Sequence, residues 1–314
     1  MSIAKVTPEL LGGSVIAVPP LARNADYSLS REGNRRILAH LAAGGVTTAL
    51  YGGNANLYNV GVREFDALLT QLEEVAPPGT WIIPSIGPDY GKAEDQVDVL
   101  KSRDLPTAMV LPLTFPTTSD GVATGLRRLA DRYGRPLIAY VKSETFISAA
   151  DLAKLVADGA VCTIKYAIAR TDTATDRYLD ELLAGVERSR IVSGMGERPA
   201  VTHLTNQRLQ GFTSGSVCIA PAMSQAMLAA LKDGDAAAAG ALREKFLPLE
   251  DLRDAHSQLR VLHAAVAAAG VAETGPMQPF LSTIEDPAIL SRIAAAAKTL
   301  LGHEEAHRAA RAAA

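Results

Sequence analysis

The chain has 314 residues, 48% hydrophobic and only 5% aromatic, which is enough for one large domain or for a barrel with an appendix. With 31 basic against 34 acidic residues the formal charge is −3, so there is no basic field to hold a nucleic acid backbone. The N-terminal Met1-Ser2-Ile3-Ala4-Lys5 lacks the order of a secretory signal, and no apolar run reaches the ~18 to 20 residues that span a bilayer, so a cytoplasmic protein without membrane partners is expected.

Short apolar runs alternate with segments of helical period through the first three quarters of the chain. Strands are predicted at Ser14–Val18, Thr47–Tyr51, Trp81–Ser85, Ala108–Leu111, Leu137–Tyr140, Val161–Lys165, Arg190–Ser193 and Thr213–Ile219. Amphipathic helices are predicted at 31–43, 62–75, 92–102, 119–133, 148–158, 173–186 and 224–233. Ser30 and Ser148 stand where N-caps belong, the latter in a Ser148-Ala149-Ala150-Asp151 capping box, and Gly44-Gly45 closes the first helix. Eight such units of roughly 25 to 30 residues fit an α/β fold of the (β/α)8 TIM-barrel type. A doubly wound open sheet is the competitor, but no G-x-G-x-x-G follows the first strand.

After about residue 233 the strand signals stop. Segments 235–246, 249–269 and 286–301 are helical in period, with breaks at Pro248, Gly270, Pro276, Pro279 and Pro287. The division expected is a barrel over 1–233 and a C-terminal helical appendix over 234–314, with a frayed helix from 303 onward. Cys162 and Cys218 each sit in an apolar run and read as small buried hydrophobes rather than a disulfide. The six histidines show no zinc-ligand spacing.

In a barrel of this kind chemistry sits at the C-terminal ends of the strands. Lys165 ends the run Val161-Cys162-Thr163-Ile164, and alternation places it on one face with Thr163. An ammonium with poor access to water loses its charge readily, and the free amine attacks carbonyls. The competing reading is a core ion pair with an acid distant in sequence, since none lies near. Tyr140 ends the preceding strand and is either a proton shuttle or a buried phenol bonded to backbone. Lys142, beyond the apolar run, reads as a solvated loop lysine with Glu144 nearby. The loop Gly52-Gly53-Asn54-Ala55-Asn56 is either an anion-binding nest or a plain turn. Arg198, after Gly194-Met195-Gly196-Glu197, reads as a solvated charge at a helix start.

These motifs, in this order, resemble the dihydrodipicolinate synthase and N-acetylneuraminate lyase family of Schiff-base-forming class I aldolases. The residues that carry the resemblance are Gly52, Pro112, Tyr140 and Ile164-Lys165, with Ser193-Gly194, the run Gly211 to Ser216, and Gly270, Pro276 and Pro279. It covers roughly residues 12 to 300. It implies a lyase in which Lys165 forms an imine with pyruvate or another 2-oxo acid and Tyr140 moves protons. Neither a metal nor an organic cofactor is implied. Gly52, Gly53, Asn54, Thr114 and Ile219 are the candidate substrate-binding residues, and a homodimer or homotetramer is expected.

Departures from the family pattern are concentrated around the second substrate. The family's G-[ST]-[ST]-G-E is Gly52-Gly53-Asn54-Ala55-Asn56 here, Leu113-Thr114-Phe115 replaces a tyrosine segment, and Glu144-Thr145-Phe146 stands where synthases place an arginine. A second substrate other than that of lysine biosynthesis is therefore expected. Two alternatives accompany the aldolase reading. One is dehydration of a 2-keto-3-deoxy sugar acid through the same imine. The other is a catalytically idle homologue that binds a small metabolite, whose ligand-induced stabilisation survives Lys165→Ala.

Overall fold

Short strands rich in aliphatic residues, each buried on both faces, can satisfy their backbones only by pairing with one another, and eight of them close into a parallel barrel. The computed structural model describes residues 6–313. In chain order the strands are β1 (Ile16–Ala17), β2 (Thr48–Tyr51), β3 (Trp81–Ile86), β4 (Met109–Val110), β5 (Leu137–Val141), β6 (Val161–Tyr166), β7 (Ile191–Ser193) and β8 (Gly211–Ser214). Each pairs in parallel with the next, and β1 closes on β8 with Ile16 opposite Thr213. The (β/α)8 expectation holds.

Helices wrap the outside. They are α1 (Pro8–Gly12), α2 (Arg31–Ala43), α3 (Val62–Val75), α4 (Tyr90–Leu100), α5 (Ser119–Tyr133), α6 (Ala149–Ala157), α7 (Arg177–Gly185), α8 (Glu197–Thr205) and α9 (Pro221–Lys232). Ser30 caps α2 by accepting the Gly33 amide at 3.2 Å. Ser148 likewise accepts the Asp151 amide at 3.1 Å, but the reciprocal half of the box is rerouted. The Asp151 carboxylate accepts the hydroxyls of Ser119 (2.6 Å) and Ser148 (2.8 Å), while the Ser148 amide donates to Ser119 Oγ. The cap thus ties α5 to α6. Among the described residues no helix is long and apolar enough to cross a membrane.

Three expectations need correction. Strand eight ends at Ser214, and the apolar run that follows winds into a 3₁₀ turn at Ser216–Cys218. Pro248 does not break its helix: α10 runs uninterrupted from Ala236 to His256, because Phe246, Leu249 and Leu252 on either side of the proline are buried and hold the segment in place. The segment from 303 onward is not frayed within the described residues. It belongs to α12 (Pro287–Ala313), and its anchor is polar rather than apolar. Buried Glu304 accepts the amides of Ala222 and Met223, both at 2.9 Å, at the start of α9, where a helix offers unpaired N–H groups to an anion. With α11 (Gln258–Ala268), α10 and α12 pack beside α8 and α9.

Candidate active site

β5 and β6 lie side by side with Tyr140 directly opposite Lys165. The pleat sends Thr163 and Lys165 one way and Cys162, Ile164 and Tyr166 the other. Tyr166 goes outward, where its hydroxyl donates to Asp176, the N-cap of α7. Lys165 goes inward to a pocket at the C-terminal mouth of the barrel, shared with Val18, Gly53, Asn54, Tyr58 and Tyr140.

Lys165 is 4% exposed, and its Nζ lies 3.6 Å from the centroid of the Tyr140 ring. Among the described residues it has no carboxylate partner, so the core ion-pair reading has no acid to support it. Glu250, which also borders the pocket, is engaged by Arg253 and Ser216. Burial pushes the Lys165 pKa well below 10.5, and the positive charges of Lys142 and Arg253 push it further down. The shift favours the uncharged form of the amine. Burial has the opposite effect on Tyr140, raising the phenol pKa, with Tyr58 adding to the rise and Arg253 opposing it. Burial thus favours the uncharged form of both groups, with the amine lying over the ring of the phenol.

The loop after β2 forms the opposite wall. A Cβ on Gly52 would lie 2.9 Å from both Met109 Cε and Ser85 Oγ, so glycine is what lets the chain turn over the barrel interior. The Gly52 and Gly53 carbonyls accept the amides of Leu57 (3.2 Å) and Asn56 (2.7 Å). Asn56 occupies the left-handed region at φ 56, which asparagine tolerates, and its Nδ2 donates to the Gln278 carbonyl at 2.7 Å. Asn54 Nδ2 is committed to the Val18 carbonyl at 2.8 Å. The turn also delivers Tyr58 to the pocket, where burial raises its phenol to about 12.

Two predicted substrate-binding residues lie elsewhere. Thr114 is exposed and lines an adjoining hollow with Tyr58, Pro112, Lys142, Ser143 and Thr145. Ile219 follows the 3₁₀ turn rather than ending a strand. It is fully buried, and its carbonyl accepts His40 Nε2 at 3.1 Å. Gly53, Asn54, Tyr140 and Lys165 are brought together, over a floor made possible by Gly52.

Lys142, Arg253 and Glu250 were not foreseen as pocket residues. Lys142 is exposed, as expected of a loop lysine, but Glu144 pairs with Arg170 instead, and Lys142 borders the pocket. Arg253, on α10, donates through Nη1 to Glu250 Oε1 at 2.7 Å and to Ser216 Oγ at 3.3 Å. It approaches so closely because a Cβ on Gly215 would sit 2.7 Å from its Nη2. Behind it, fully buried Glu197 accepts Ser214 Oγ at 2.9 Å and Ser224 Oγ at 2.7 Å. Burial and then the charge of Glu250 raise Glu197 to about 7. One sequence signal was available: Leu249-Glu250-Asp251-Leu252-Arg253 places an acid and an arginine three apart beside two core leucines. Arg198, by contrast, stands at the start of α8 as expected and faces Asp251 and, at 3.5 Å, Asp254.

The mouth of the eight-stranded barrel thus holds a buried amine, without a carboxylate partner among the described residues, over a tyrosine, and the family match and the dehydratase relative that follow make the protein a lyase-type enzyme. The chain belongs to the dihydrodipicolinate synthetase family, whose profile matches residues 109–295. It is 26% identical over 296 residues to a probable 5-dehydro-4-deoxyglucarate dehydratase of Streptomyces avermitilis, covering 90% of this chain and 86% of that protein. Its fold superposes on dihydrodipicolinate synthase from Bacillus clausii with a TM-score of 0.79 at 21% identity, covering 94% of this chain and 99% of the other. It also superposes on YagE of Escherichia coli K12, a prophage protein of the dihydrodipicolinic acid synthase family solved in complex with pyruvate. That match has a TM-score of 0.79 at 16% identity and covers 91% and 98% of the two chains.

Proposed function

We propose that the protein is a Schiff-base lyase acting on a 2-oxo acid, with Lys165 as nucleophile and Tyr140 as proton shuttle. One observation carries the reading: the Lys165 amine is buried at the barrel mouth, has no carboxylate partner among the described residues, and lies over Tyr140. The neutral amine adds to the ketone carbon, and the Tyr140 phenol protonates the carbinolamine oxygen so that it leaves as water. The Tyr140 phenolate then takes a proton from the neighbouring carbon, and the protonated imine accepts the electron pair released, giving an enamine and restoring the phenol. Backbone amides at Gly53 and Asn54 receive the carboxylate beside the ketone, in place of the hydroxyls the family pattern provides.

From the protonated imine two outcomes share one machinery, dehydration through the enamine and carbon–carbon cleavage. If the next carbon bears a hydroxyl, the enamine pushes it out with a proton from Tyr140, so that water is lost and a conjugated imine remains. If that hydroxyl is instead deprotonated in the first imine, the carbon–carbon bond breaks and an aldehyde departs. The likeness to a protein described as a sugar-acid dehydratase favours the first outcome. Incubation with 2-keto-3-deoxy sugar acids separates them by mass spectrometry. The expected result is a product lighter by one water, with no free pyruvate. Pyruvate release instead makes it an aldolase, and recovery of every 2-oxo acid unchanged overturns the lyase reading.

A further inference from the structure

Arg253 is the buried cation of this pocket, and only part of its hydrogen-bonding capacity is spent. It comes from α10 in the C-terminal helical region, borders the Lys165 pocket and is 6% exposed. A guanidinium carries five N–H donors. Nε donates to the Gln258 carbonyl at 3.3 Å, and Nη1 donates to Glu250 Oε1 at 2.7 Å and to Ser216 Oγ at 3.3 Å. Among the described residues neither N–H of Nη2 has an acceptor. Nearly all buried donors find one, so an idle pair on a pocket wall calls for an acceptor that enters with a ligand.

The wall is shaped to bring this arm forward. A Cβ on Gly215, just past the end of β8, would lie 2.7 Å from Arg253 Nη2 and 2.8 Å from Asn54 Nδ2. The backbone there, at φ −89, admits any residue, so glycine is required by space alone. Asn54 Nδ2 spends one N–H on the Val18 carbonyl at 2.8 Å and keeps the other. Two side chains distant in sequence thus carry idle donors to one point, beside the Gly53–Asn54 turn and in the same pocket as Lys165.

We propose that Arg253 binds the carboxylate beside the substrate's ketone, with Nη2 and the free N–H of Asn54 receiving one oxygen and the Gly53–Asn54 backbone the other. The proposal rests on the Schiff-base reading of Lys165. It places the charge that recognises the 2-oxo acid in the C-terminal helical region, because the run Gly52 to Asn56 after β2 carries none. Glu250 does not cancel this role. It engages Nη1, which fixes the guanidinium and leaves Nη2 open. A fixed, charged donor beside a neutral one favours a carboxylate over an uncharged group of the same shape.

The test compares pyruvate with pyruvamide, which share the ketone and the shape and differ in charge. In borohydride trapping read by intact mass, the wild type should need at least about tenfold less pyruvate than pyruvamide for half-maximal modification. Arg253→Lys keeps a cation for Glu250 but has no second arm, and Gly215→Ala pushes Nη2 back without changing any charge. Each should bring the ratio close to one. Because each ratio is taken on a single variant, a general loss of imine formation or of folded protein cancels. Both ketones are also titrated calorimetrically into Lys165→Ala, which forms no imine, with and without Arg253→Lys. A preference for pyruvate that survives either variant, or one absent from both wild type and Lys165→Ala, overturns the proposal. No trapping in the wild type, with the calorimetric preference intact and dependent on Arg253, would defeat the imine reading and leave the Arg253 assignment standing.

Discussion

Lys165→Met should abolish turnover and, at neutral pH, raise the melting temperature. Removing the nucleophile takes away the covalent step, and a loss of roughly ten-thousandfold or more in kcat is expected. The stability gain follows from the depressed pKa of the buried amine. The folded protein binds this proton less tightly than the unfolded chain does, so folding is penalised wherever the unfolded lysine is protonated. The penalty is full below the folded pKa and fades as pH rises to the ordinary value of 10.5. Methionine fills similar space and carries no charge. The variant should therefore melt above the wild type at pH 7, and the gap should close as pH approaches 10. A structural lysine paired with an acid would behave oppositely: the variant would melt lower and the enzyme would keep its activity.

Arg253→Met should cost about 3–5 kcal/mol of stability, the price of leaving a buried carboxylate unpaired. Glu250 would lose its guanidinium partner while remaining close enough to Glu197 to raise that residue's pKa. The loss should be greater at pH 8 than at pH 5, because protonation of Glu197, whose pKa is raised to about 7, relieves the repulsion. The check is denaturant unfolding of Arg253→Met and of the Arg253→Met/Glu250→Gln double variant. Removing both charges should recover most of the stability, since a buried pair replaced together by neutral groups is often tolerated. If the single variant unfolds like the wild type, the pair is not a structural support of the pocket wall.

The strands were legible in the sequence because a parallel barrel strand is buried on both faces and so reads as a short apolar run. The same rule misled at Val217-Cys218-Ile219, equally apolar and equally buried, where a 3₁₀ turn over Ser216–Cys218 moves Ile219 away from the strand end. Lys165 and Tyr140 could be paired because adjacent parallel strands bring their ends together. Arg253 could not be placed, because its approach to the pocket depends on how α10 packs behind β8, and no local pattern encodes that contact. Glu304 shows the same limit. A segment without an apolar stripe reads as loose, yet one carboxylate on two backbone amides holds it to α9.

The central claim is that Lys165 Nζ bonds covalently to the ketone carbon of a 2-oxo acid, and reductive trapping tests it most directly. The protein is incubated with pyruvate, reduced with borohydride, digested and mapped. The expected result is an adduct on the peptide containing Lys165 and none at Lys142. An adduct on Lys142, or Lys165 left unmodified by pyruvate and by every longer 2-oxo acid, would contradict it.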